Sequence, residues 1–170
     1  MTLKEELAQE MEATRRDFHH LLASVPEAFY HHPSDNPAWT IGEVLFHMSL
    51  APRFLTADLR IIIGQAWMAK VIGALIPKSL FDKLNESLTR RWASRNMTRK
   101  KLGRAYDNAH NTAMRALQKL EEDDFGKSLA YPDYDELLTG VVTVERLYRY
   151  ITIHFKVHAE QIRKSIGKAQ

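Results

Sequence analysis

His154 and His158 stand four residues apart in a stretch whose apolar positions recur at helical spacing, so their imidazoles project from one face, close enough to share a divalent ion. Both lie in the stripe Val144, Leu147, Tyr148, Ile151, His154, Phe155, His158, Ile162 and Ile166, which faces the interior of a helical domain. A two-histidine site needs a third ligand from another element. His47, beside Met48 and one turn after Val44 in the inward row of an earlier helix, is the natural supplier. Three histidines with an open position make a catalytic type of metal site, completed by water or substrate. The plainer account of the same residues is three core or boundary histidines, each with one hydrogen bond. His110, beside the apolar stripe of another helix, is an outside candidate for a fourth ligand or an acid–base group.

Composition narrows the chemistry. The chain has 170 residues, 45% of them hydrophobic and 26% charged, which suits a single globular domain over residues 1–170. It has no Cys, which excludes disulfides, thiolate metal sites and a cysteine nucleophile, so any metal rests on His and carboxylates and any thiol chemistry needs a thiol from outside. The formal charge of +3 is unevenly spread. Arg90, Arg91, Arg95, Arg99, Lys100, Lys101 and Arg104 fall between residues 89 and 104 with no acid among them, so this stretch carries +7 and the rest −4. Together with Trp92 it is a candidate for phosphates or single-stranded nucleic acid, although such runs are more often solvated faces or docking sites for acidic neighbours. We expect no nucleic-acid partner.

The elements that must position the histidines follow from periodicity. A first amphipathic helix is predicted over residues 2–24, stopping before Pro26, with a Pro- and Asn-containing loop after it. Thr40-Ile41-Gly42-Glu43 reads as a capping box that starts a second helix at about residue 41, with Trp39 stapled onto Val44. Pro52 should bend that helix about one turn past His47. Residues 60–77 form an apolar helical segment interrupted by Gln65 and Lys70, too broken for a membrane span, followed by a short helical turn over 79–88 and a basic loop. Its excess apolar surface, residues 59–80, predicts a homodimer interface or a pocket lid rather than a membrane contact. Thr98 caps a third helix ending near residues 121–124, residues 125–142 read as loop, and the last helix begins near Thr143. The sum is an all-α four-helix bundle with an extra apolar helical segment between its second and third helices. The first residues, Met-Thr-Leu-Lys-Glu-Glu, contain acids and no apolar core of a signal peptide, so a cytoplasmic address is expected.

Two motifs carry a family resemblance. Trp39-Thr40-Ile41-Gly42-Glu43-Val44-Leu45-Phe46-His47 and His154-Phe155-Lys156-Val157-His158-Ala159-Glu160-Gln161-Ile162 resemble the paired motifs of the DinB-like (DNA-damage-inducible, YfiT-related) metalloenzyme superfamily. The resemblance implies a four-helix bundle that binds one divalent ion, often nickel or zinc, through His47, His154 and His158. It also implies activities such as thiol-dependent S-transfer or isomerisation with a low-molecular-weight thiol, on a small-molecule substrate. A metal-assisted hydrolase is the neighbouring expectation. Glu43, one turn before His47, is the candidate catalytic residue, able to orient the histidine or take a proton in addition to capping.

Overall fold

Three threonines start three of the helices, and the positions of those starts determine where the histidines fall. In a computed structural model that describes residues 1–64, 78–95, 97–131 and 137–169, the Thr2 hydroxyl accepts from the Glu5 N–H while the Glu5 carboxylate reaches back to Thr2, opening α1 (Leu3–Ser24). The same reciprocal pair between Thr40 and Glu43 opens α2 (Ile41–His47), and Thr98 caps α5 (Arg99–Gln118). Each cap satisfies backbone donors that the first helical turn leaves without partners. Between them run α3 (Leu50–Gly64) and α4 (Lys78–Ala93), and the chain closes with α6 (Val144–Ala169).

α1 packs on α5 and α6, and α3 packs on the same two, which makes a four-helix bundle with α1 and α3 on one diagonal. α2 leads into α3 at one end of the bundle, and α4 lies against α2 as the extra helix between the second and third members. The apolar stretch expected to form a lid or interface is residues 65–77 in its central part, which lies outside the described residues. Among the described residues no helix is long and apolar enough to cross a membrane.

The core divides into two apolar groups stacked along the bundle. One gathers Phe18, Leu22, Val44, Leu45, Phe155 and Ile162 around α2. The other gathers Leu7, Met11, Leu55, Leu117, Leu147 and Ile151 at the opposite end. A thin polar layer separates them. Thr14 and Thr152 share a buried hydrogen bond of 2.9 Å there, and His154 sits on α6 between Ile151 of one group and Phe155 of the other. Polar groups so enclosed persist only when they find partners, so this layer is where a ligand-binding function would be built.

Four sequence expectations change. The second helix is not a bent continuous helix: it stops at His47 and restarts at Leu50, with Ser49 Oγ donating to the Phe46 carbonyl at 2.7 Å in the gap. Pro52 lacks the N–H that a continuous helix would have bonded to Met48, and the break leaves it in the first turn of α3, where no donor is needed. The basic run is not a loop: Arg90 and Arg91 end α4, Arg95 lies in the turn, and Arg99, Lys100, Lys101 and Arg104 ride on the first turns of α5. The short turn expected at 79–88 is the full helix α4. Within residues 125–142, read as loop, Ser128–Tyr131 (β1) pairs antiparallel with Gly140–Thr143 (β2), Ser128 opposite Thr143 and Tyr131 opposite Gly140. Arg146 of α6 holds the returning strand by donating to the Thr139 and Val141 carbonyls at 2.9 Å each.

One glycine records how tightly α2 is seated. A Cβ on Gly42 would stand 2.9 Å from the Tyr30 carbonyl oxygen and 2.7 Å from the Met97 sulfur. The methionine tip can move, whereas the backbone oxygen moves only with its whole turn. Gly42→Val is therefore expected to cost about 2–3 kcal/mol through overpacking, read as a fall in Tm of roughly 5–10 °C in a thermal melt. An unchanged Tm would show that α2 is free to shift away from that turn.

Candidate metal centre

His47 is the last residue of α2, and its ring is fixed from several sides. Trp39 lies against it with ring centroids 4.3 Å apart and planes tilted by 34°. Its Nδ1 stands 3.4 Å from the Thr89 hydroxyl of α4. With Nδ1–H donating to Thr89 Oγ1, the lone pair on Nε2 is turned toward α6. There His154 presents its own Nε2 at 3.1 Å. One turn further along α6, His158 Nδ1–H donates to the Gln161 amide oxygen at 2.9 Å, which leaves the lone pair on its Nε2 as well. The three ring centroids are separated by 4.5 to 4.9 Å.

One nitrogen from each of His47, His154 and His158 falls within 4.8 Å of the others. His47 and His154 are 7% and 4% exposed, whereas His158 is half-buried, so the cluster is enclosed on two sides and accessible on the third. Burial, and then the neighbouring His158, pushes the His47 imidazolium down from the usual 6.5 to about 3. Burial followed by His47 and His158 drives His154 well below its ordinary value. Both rings are thus neutral at physiological pH, the form in which histidine binds a metal.

These residues fit a divalent ion. Two imidazole nitrogens bound at about 2.0–2.1 Å to one tetrahedral ion stand roughly 3.3 Å apart, close to the 3.1 Å between His47 and His154. The Nδ1 of His154 is buried without a hydrogen-bond partner among the described residues. A polar atom in that position costs the metal-free fold about 1–3 kcal/mol in unmet hydrogen bonding, so the ring is kept in the layer against that cost. The donor set is all nitrogen, suited to zinc, nickel, copper or iron rather than to calcium or magnesium.

Spacing accounts for only part of what surrounds the three rings. Thr89 is fully buried and is the neighbour of His47 Nδ1, the place that helical spacing offers to Glu43. The Glu43 carboxylate accepts from the Thr40 N–H at 2.8 Å, completing the helix cap. Nothing in the spacing of Thr89 and His47, 42 residues apart, signals their contact. Gln161 lies within the final motif and one turn from His158, a spacing that makes such a bond available. His110 is not in the cluster: it is buried on α5 and pairs with Glu12 of α1 at 2.8 Å. Thr89→Val is expected to keep the fold and weaken metal binding roughly tenfold, as loss of a hydrogen bond that orients a ligand does. A metal titration with affinity unchanged would remove Thr89 from the site.

A helical bundle with three inward histidines from two helices defines a bundle protein with a possible metal site, whose ligand shell is open on one side among the described residues. The family model of the DinB superfamily matches residues 10–162, and the chain belongs to that superfamily, whose members bind metal. Neither a curated protein nor a solved structure matches the chain.

Proposed function

We propose that the protein is a divalent-metal-dependent enzyme acting on a small molecule, with nickel or zinc held by His47, His154 and His158. The observation that carries this reading is the count and exposure of ligands: three protein nitrogens among the described residues, with the half-buried His158 at the accessible edge. A structural site closes its shell with four protein ligands, whereas a catalytic one keeps a position for water or substrate. When bound there, the ion supplies Lewis acidity, making a water or thiol nucleophilic near neutral pH or polarising a carbonyl.

The chain's own residues perform the rest. The buried rings of His47 and His154 exclude water from two sides, Thr89 and Gln161 hold the tautomers that aim Nε2 inward, and Trp39 walls the site with an apolar face. Because the chain contains no Cys, a thiol reaction here draws on a low-molecular-weight thiol as co-substrate. S-transfer to an electrophile and metal-assisted hydrolysis are the two reactions that this arrangement serves. Any proton-accepting role for Glu43 falls to the carboxylate oxygen not engaged at the cap. We further propose a cytoplasmic homodimer as the working form.

The test is turnover by protein reconstituted with nickel, zinc or manganese, supplied with a thiol and an electrophile, or with an activated ester. Metal-dependent turnover abolished by a chelator and by His154→Ala is the expected result. Turnover that survives in that variant would place the chemistry elsewhere.

A further inference from the structure

A second concave site lies on the other face of α2. The Phe46 side chain, adjacent in sequence to His47, floors a groove of about 810 Å³ bounded by α3, α4, the turn after it and α5. Arg53, Arg95, Lys101 and Arg104 line this groove, and among the described residues no carboxylate does. All four are exposed, and none has an acidic partner within ion-pair distance among the described residues. The groove therefore gathers four cations that no described carboxylate pairs with.

The charges are also held in place. The Arg53 guanidinium lies 4.7 Å above the centre of the Trp92 ring, a cation–π contact that orients it without consuming its donors. Lys101 Nζ donates to the Arg95 carbonyl at 3.0 Å, tying the turn to α5 across one edge of the groove. Asn108 and Thr112 add neutral hydrogen-bonding groups further along α5, and Ala105 and Ala109 leave room beneath them.

We infer that this groove is a binding site, separate from the metal centre, for a small molecule bearing two or more phosphate or carboxylate groups. Planar guanidinium forks match either anion, and the volume is that of a small-molecule pocket. A nucleic-acid surface would instead be an extended basic track with stacking aromatics left open to bases; here the only aromatic side chains at the groove among the described residues are Phe46, buried, and Trp92, already covered by Arg53.

The experiment is calorimetric titration of the full chain at constant ionic strength with tripolyphosphate, citrate and a single-stranded oligonucleotide, beside the Arg95→Ala/Arg104→Ala variant. Both substituted side chains are exposed, so the fold is retained and circular dichroism verifies it. Saturable one-to-one binding of tripolyphosphate or citrate, weakened about tenfold or more in the variant with the metal affinity of the histidine site unchanged, is the expected result. Stronger binding of tripolyphosphate assigns a phosphate ligand, and of citrate a carboxylate one. No saturable binding of either probe, equal binding by the variant, or tighter binding of the oligonucleotide than of both small anions would overturn the inference.

Discussion

His154→Ala is expected to lower affinity for zinc or nickel on the order of a thousandfold. Structural zinc sites, with four ligands, bind with about 10–16 kcal/mol in total, and the share of one ligand on that scale is about 3–4 kcal/mol. His154 is the most enclosed member, 4% exposed, and its Nε2 is the atom that faces His47 at 3.1 Å. Its removal leaves only His47 and His158, one on each of two helices, as ligands. The metal-free protein should respond much less. The variant creates a small cavity, but it also removes the buried Nδ1 that has no hydrogen-bond partner among the described residues, and the two changes oppose each other. Equilibrium dialysis followed by elemental analysis reads the affinity. Thermal melts with and without added metal supply an independent readout: the parent gains about 4 kcal/mol at metal concentrations roughly a thousand times its dissociation constant, and the variant gains little. Equal metal content in parent and variant would show that the three histidines are only a packed cluster.

The features legible in the sequence are those that repeat. α1, α5 and α6 present long apolar stripes, so their register and nearly all their ends follow from spacing, and the Thr40–Glu43 pair dates the start of α2 to Ile41. The histidines are legible for the same reason, since two of them occupy the inward stripe of α6 one turn apart. α4 is not legible as a full helix because the buried positions near its end are Thr89 and Ala93, too small and too polar to form a stripe. The hairpin eludes pattern reading because each strand has four residues, and only Val142 of β2 is fully buried while Val141 is exposed. The break after His47 is a competition: a proline four residues beyond Met48 can either kink a helix or begin a new one, and tertiary packing chooses. Contacts such as Thr89 with His47 depend on how α4 folds back on α2, which local spacing does not encode.

Acidification supplies the other large effect. In metal-free protein His47 is held neutral down to about pH 3, whereas in the unfolded chain it takes up a proton near 6.5. Between those values the unfolded state binds more protons, so stability rises with pH through the window; it is full above about 6.5 and lost as pH falls toward 3. His154, also shifted far down, contributes in the same direction. Asp58 works against them: burial raises its carboxyl from 3.8 to about 6 despite the bond from Tyr131, so it stabilises the fold at low pH and loses that contribution as pH rises from about 4 to 6. The parent alone would therefore mix opposing slopes, and the informative quantity is its difference from His47→Phe, which keeps an aromatic ring beside Trp39. In chelator, between about pH 7 and pH 5, the parent is expected to lose on the order of 2 kcal/mol relative to that variant in urea unfolding. With metal bound the parent should fall more steeply still, because protons and the ion compete for the same nitrogens. A parent-minus-variant difference that stays flat over this range would mean that His47 protonates within the fold at its ordinary pKa, and the enclosed, neutral cluster would have to be abandoned.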